Sequence, residues 1–316
     1  MSSKFSIVTK LAGVFGVIKH IKPGWSRGGG RPHSLSNPHK LISGDTFNYK
    51  IIKALPSGAA ADVFVVKDIN NGLVPTVALE GAAALTPQYV VKRYKSYVPI
   101  RAVEREYNIL RHLQRIKSLK HAIPTDPALI QTHNDRYLIY PYIEGTVATE
   151  HQEAILKTQS LECLKHYIYN IVRLAVACQT KANVSHLDIK PNNMIYCPIK
   201  KKLSLIDFGS ARYLSPLDGQ KLIPIGHPIG TRYYAAPEIF SLNFNNRSDT
   251  YCIGRILQYF TKNGMSIGSD GDDLLGRMLV VDPLVRPSLT ETMHSPWFCC
   301  EMVSDKASSS SLQHTA

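Results

Sequence analysis

The chain has 316 residues, 44% of them hydrophobic and 19% charged, the profile of a soluble globular protein able to form one large domain or two lobes. Its formal charge of +13 favours acidic partners: phosphorylated compounds, acidic protein surfaces, nucleic acid or anionic lipid. The six cysteines (Cys163, Cys178, Cys197, Cys252, Cys299, Cys300) form no C-x-x-C pair, which argues against a structural zinc site or a disulfide framework and for a reducing intracellular compartment.

No acidic residue precedes Asp45, whereas Lys4, Lys10, Lys19, Lys22, Arg27, Arg31 and Lys40 do. Apolar residues from Ile7 to Ile21 recur at helical spacing, so a basic amphipathic helix is expected over 4–22. Such a helix can lie on an anionic membrane, bind a partner, act as a transit peptide, or pack against the body of the protein. Its clean apolar run, Leu11 to Ile18, is too short to span a bilayer. Gly28 to Pro38 reads as a flexible linker, which makes 1–44 an extension of the folded part.

Strands are expected around Tyr49–Leu55, Val63–Val66, Tyr89–Lys92, Ala128–Ile130 and Tyr137–Tyr140, with a turn at His133-Asn134-Asp135 and a helix over 101–115. Leu161, Leu164, Ile168, Ile171, Ala175 and Cys178 form a stripe at spacings of three and four, a long helix with a buried face. Further helices are expected over 248–262, 271–280 and 288–296, with Cys299 and Cys300 packing under Trp297-Phe298 and a disordered tail over 300–316. The fold class is therefore α+β, with a small antiparallel sheet and one main helix over about 45–142 and a larger, mostly helical part over about 143–299.

The strongest chemical signal is His186-Leu187-Asp188-Ile189-Lys190-Pro191-Asn192-Asn193, directly after the long helix. Nineteen residues past Asp188, a short apolar strand ends in Asp207-Phe208-Gly209. Phosphoryl transfer needs a group to orient the attacking hydroxyl and oxygen ligands to hold Mg²⁺ on the phosphates. Asp188 fits the first role and Asn193 with Asp207 the second, while Lys190 is placed to neutralise charge on the transferred phosphate.

These motifs resemble the H-R-D-x-K-x-x-N and D-F-G of the eukaryotic protein kinase family, serine/threonine branch, over roughly residues 47–298. Ala236-Pro237-Glu238, the run from Ser248 to Gly254 and Asp282-Pro283-Leu284-Val285-Arg286-Pro287 extend the likeness. By that resemblance Glu238 and Arg286 form a buried ion pair. Val90-Val91-Lys92 resembles V-A-I-K, which implies that Lys92 contacts the ATP phosphates and is held by Glu106, with Glu104 close by on the same helix. The same resemblance implies a nucleotide site with Gly58, Val63 and Val90 around the phosphates and base. Tyr142 and Ile143 stand at the hinge, Tyr140 at the back of the pocket and Ile195 beneath the adenine. ATP and Mg²⁺ are the implied cofactors, and proteins carrying Ser or Thr the implied substrates, since Lys190 and Thr231 match that branch.

The pattern also departs from the family. Where G-x-G-x-x-G-x-V is expected, Pro56 to Val63 retains only Gly58, and Asp62 adds a negative charge near the loop, which points to weaker ATP binding or a different loop position. Leu187 replaces the arginine that reads an activation-segment phosphate, so activity should depend less on phosphorylation, with Ser215 a weak candidate switch. The stretch from Glu238 to Arg286 is short, with Ser241–Asn246 reading as a polar loop; such compression is seen in some viral kinases. Three rivals stand beside an active kinase. A pseudokinase scaffold would explain the degraded loop, but Lys92, Asp188, Asn193 and Asp207 are all retained. A small-molecule kinase would lack Thr231 and Ala236-Pro237-Glu238. A nucleic-acid binder rests on charge and on Lys200-Lys201-Lys202, which reads as a solvated turn, so nucleic acid is not an expected partner.

Overall fold

The computed structural model describes residues 19–20, 41–44, 47–68, 87–215 and 221–299. The expected helix over 4–22 lies outside these, apart from two residues that form a short strand, and so do the tail over 300–316 and the side chains of Cys299 and Cys300. The chain divides into two compact units, Met1–Pro99 with Asp126–Pro141 and Ile100–Thr125 with Tyr142–Ala316.

The first unit is a seven-stranded sheet. Its strands are β1 (Lys19–His20), β2 (Leu41–Gly44), β3 (Phe47–Ala54), β4 (Ala61–Asp68), β5 (Gln88–Tyr94), β6 (Ala128–Gln131) and β7 (Arg136–Pro141). They run in the order β1-β6-β7-β5-β4-β3-β2, antiparallel throughout except for β1 beside β6. Side chains alternate between faces along a strand. Tyr49 and Ile51, Phe64 and Val66, Tyr89 and Val91, and Tyr137 and Ile139 therefore fill one core. Val65, Val90, Leu138 and Tyr140 on the intervening positions are buried as well, and Lys92 is the charged residue among them. The β6–β7 hairpin closes where expected, with Thr132 N donating to Asp135 O and Asp135 N to Thr132 Oγ1.

The second unit opens with α1 (Ile100–Leu113), followed by β8 (Thr146–Val147), α2 (Ala148–Thr158), α3 (Leu161–Ala182) and β9 (Val184–Ser185). Next come the hairpin β10 (Met194–Cys197) and β11 (Lys202–Leu205), then β12 (Arg212–Tyr213), β13 (Ile223–Pro224), α4 (Pro237–Phe240) and β14 (Asn243–Phe244). Helices α5 (Ser248–Lys262), α6 (Gly268–Met278), α7 (Leu289–Met293) and α8 (Pro296–Cys299) complete it. Helix α3 buries the stripe read from sequence. It starts at Ser160, whose Oγ accepts from Cys163 N, and stops at Asn183 in a left-handed conformation.

Three expectations need correction. Helix α2 was not expected, because only Ala148, Gln152 and Ile155 mark its buried face, too few to separate it from loop. The helix expected over 288–296 is two helices, the first fixed by a capping box between Ser288 and Glu291 and the second carrying the buried Trp297 and Phe298. The polar stretch 241–246 is more than a loop: Asn243–Phe244 pairs with Ile223–Pro224, and Phe244 and Asn245 are buried.

Candidate active site

Two elements deliver the His186–Asn193 segment. Helix α3 runs into it through β9, and the N-terminus of α5 holds its backbone. Asp249, fully buried in the first turn of α5, accepts from Leu187 N at 2.7 Å through Oδ1 and from His186 N at 2.9 Å through Oδ2. A carboxylate is well placed at a helix N-terminus, and accepting two amide protons offsets its burial. Gln179 of α3 joins this anchor, its amide donating to Asp249 Oδ2, Ser185 Oγ and Asn246 O. Leu187, held at this anchor, sits at φ +62, unusual for a branched aliphatic residue.

Asp188 is buried, and its two carboxylate oxygens are treated differently. Oδ2 accepts from Lys190 Nζ at 2.9 Å and from Asn193 Nδ2 at 2.9 Å. Among the described residues, Oδ1 is buried with no hydrogen-bond partner. Lys190 also donates to Thr231 Oγ1 at 2.5 Å, which ties the loop to the segment before Ala236-Pro237-Glu238. Asn193 spends its amide protons on Asp188 O and Oδ2, which leaves its Oδ1 as the acceptor a cation would meet.

Asp207 has φ +61 and accepts from Gly209 N, and Ile206 N donates to Asn193 O at 2.9 Å. His186 steadies this turn, its Nε2 lying 3.1 Å from Ile206 O and its ring 4.7 Å from that of Phe208. A Cβ on Gly209 would stand 3.1 Å from Glu106 Oε2 and 3.3 Å from Asp207 Oδ1, so both carboxylates border the same glycine. Glu106 is buried on α1 while Glu104 is exposed, which separates two acids that sequence alone left side by side. Carboxylate and amide oxygens are the donor set a hard divalent cation such as Mg²⁺ takes, and the buried Asp188 Oδ1 offers a further acceptor. These groups fit Mg²⁺.

In the first unit, Lys92 stands in the centre of β5, opposite Val63 on β4 and Leu138 on β7, and its ammonium lies 5.6 Å from the centroid of the Tyr94 ring. Val90 faces Val65 and Tyr140. Gly58 is exposed in the turn before β4, where its N–H donates to Ala61 O. In the second unit, Tyr142 is exposed and Ile195 half-buried on β10, across from Val147. Gly145, at φ +137, lets Tyr196 O approach where a Cβ would be only 2.5 Å away. Asp188, Lys190, Asn193 and Thr231 therefore form one bonded cluster, and Glu106 and Asp207 meet at Gly209.

Residues 85–265, more than half of the chain, match the family model of the protein kinase domain. The chain belongs to the protein kinase family. Among its relatives, the serine/threonine-protein kinase cds1 of Schizosaccharomyces pombe is 25% identical over 309 residues, which cover 84% of this chain and 62% of that protein. The SNF1-related protein kinase catalytic subunit alpha KIN12 of Arabidopsis thaliana is 26% identical over 278 residues, covering 79% and 51%. The titin homolog of Caenorhabditis elegans is 26% identical over 278 residues, covering 83% of this chain and 1% of that protein. The chain thus spans no more than about three fifths of these relatives. Its architecture is that of a protein kinase: an antiparallel sheet, then a helical body.

Sequence reasoning assigned no role to Asp249, which it met only within the Ser248–Gly254 run, nor to Gln179 or Ser210, whose Oγ accepts from Gly230 N. Only Asp249 carried a signal, an acid in the first turn of a helix that is otherwise apolar on its inner face.

Proposed function

We propose that this kinase-family chain is an active enzyme that transfers the γ-phosphate of ATP to serine or threonine hydroxyls of proteins. The observation that carries the reading is the divided environment of Asp188: Oδ2 is taken by Lys190 and Asn193, and among the described residues no donor meets the buried Oδ1. A substrate hydroxyl is such a donor. Asp188 would accept its hydrogen bond and aim the oxygen for in-line attack. Lys190, held between Asp188 and Thr231, would bring positive charge to the transferred group. Bound Mg²⁺ would neutralise charge on the ATP phosphates, with Asp207 and Asn193 as its ligands. Lys92 is the proposed phosphate contact and Glu106 its proposed partner, with Gly58, Val63, Val90, Tyr142 and Ile195 the proposed nucleotide surround. Lys190 and Thr231 support serine/threonine over tyrosine specificity.

The test is γ-phosphate transfer to a basic protein and a Ser/Thr peptide library, with Asp188→Asn in parallel. Phosphoserine or phosphothreonine made by the parent, and a loss of at least a hundredfold in the variant, are expected. No transfer by folded parent with Mg²⁺ and ATP would favour the pseudokinase scaffold.

A further inference from the structure

The loop from Pro56 to Asp62 keeps one of the family's three glycines, and that glycine does not need to be one. Gly58 is not among the residues with positive φ, and a Cβ there would meet only Ala61 O, at an ordinary 3.6 Å. Side chains shape the loop instead. Asp62 accepts from Ser57 Oγ at 2.5 Å through Oδ1 and from Arg93 Nη2 at 3.0 Å through Oδ2. The Ser57 hydrogen bond first, and then the Arg93 charge and hydrogen bond, hold its carboxyl below the usual range against the opposing effect of burial.

Three successive loop carbonyls are captured as well. Gly58 O accepts from Lys95 Nζ at 2.9 Å, Ala59 O from the Tyr97 hydroxyl, and Ala60 O from Lys95 N at 3.0 Å. All of these groups belong to the first unit. In a trans peptide the N–H points opposite to the C=O of the same plane. With the carbonyls of Gly58 and Ala59 drawn to Lys95 and Tyr97, the N–H groups of Ala59 and Ala60 are turned the other way. Adjacent N–H groups presented together make an anion-binding concavity.

We propose that Asp62, Lys95 and Tyr97 are positioning residues that hold this loop ready for the nucleotide phosphates, a task glycines perform through backbone freedom in relatives with the full motif. The proposal rests on the nucleotide-binding reading above. It also opposes the weaker ATP binding that was one of the two outcomes expected from the sequence of this loop, the other being a different loop position. A bare negative charge beside the loop would repel phosphate, whereas a carboxylate bonded to Ser57 and Arg93 organises the loop.

The experiment is calorimetric titration of the full chain, its Asp62→Ala variant and its Tyr97→Phe variant with Mg·ATP and, separately, with adenosine. Asp62→Ala is expected to weaken Mg·ATP binding about 5- to 20-fold, and Tyr97→Phe, which changes no charge, about 3- to 10-fold. Adenosine affinity should stay within about twofold in both, because the loop serves the phosphates. Tighter or unchanged Mg·ATP binding by Asp62→Ala would overturn the proposal, and so would equal losses for ATP and adenosine, which would mark a general structural role. A parent chain that binds neither ligand would overturn the nucleotide-binding reading itself, and the proposal with it.

Discussion

A Cβ at position 230 would lie 2.5 Å from the carbonyl oxygen of Leu187, so Gly230 rests directly on the backbone of the loop that carries Asp188. Its φ of +77 adds a second reason for glycine. The following residue, Thr231, accepts the Lys190 hydrogen bond, and the Gly230 amide donates to Ser210. Gly230→Ala must push the two segments apart and should break the Lys190–Thr231 contact. A fall in kcat of tenfold or more is expected, with a loss of stability of about 1–2 kcal/mol from the left-handed backbone. Steady-state kinetics beside thermal melting would check it; unchanged kcat would show that the contact is dispensable.

Leu187 occupies the position where most of the family has arginine, and it is buried with Ile225, Ala235, Ala236, Ile239 and Phe244. Ile225, Ala235 and Ala236, among the described residues that follow Asp207-Phe208-Gly209, are thereby held by apolar packing, which needs no phosphate. Transfer by phosphatase-treated protein should match that of untreated protein, and a drop of tenfold or more would contradict this. Leu187→Ala should destabilise the fold by about 2–5 kcal/mol, the usual range for emptying such a site, as measured by urea unfolding.

Arg286 grips Glu238 through two parallel bonds, Nη1 to Oε1 at 2.7 Å and Nη2 to Oε2 at 3.0 Å, with both side chains almost wholly buried. Further bonds to the carbonyls of Arg247, Val280 and Val281 use up the guanidinium. Arg286→Met would leave the Glu238 carboxylate buried without its counter-charge, a cost of about 3–5 kcal/mol. Arg286→Lys should recover little, since an ammonium cannot reproduce the fork. Chemical denaturation of both variants would decide; a loss under about 1 kcal/mol would mean that Glu238 finds other partners.

His151 on α2 stacks on Tyr196, 3.6 Å between centroids, and meets the edge of Tyr167 at 5.3 Å. Burial, assisted by nearby His166, lowers its pKa to about 4. An unfolded histidine titrates near 6.5, so between these values the unfolded chain binds the extra proton. Stability should therefore fall as pH drops from about 6.5 to 4, with no contribution above that window. With solvent screening of this part-exposed ring, the loss is on the order of 1–2 kcal/mol. His151→Phe keeps the stack and should flatten this part of the stability–pH curve; an identical slope in the variant would refute the assignment.

Much of this could be read along the chain. Strand alternation, the stripe on α3 and the ordered pairing of His186–Asn193 with Asp207–Gly209 are local patterns, and each survives in one dimension because neighbouring residues impose it. The acid Glu238 and the base Arg286 were also legible, through motifs that mark their ends of a long-range pair. Tertiary structure alone decided the rest. Which of Glu104 and Glu106 is buried depends on how α1 packs. Whether Asp62 burdens or organises its loop depends on Arg93, thirty-one residues away, and on Ser57. That Asp249 holds the backbone of Leu187 follows from bringing together the first turn of α5 and a loop sixty-two residues earlier. Hydrogen bonds and burial are set by distance in space, and a sequence records only distance along the chain.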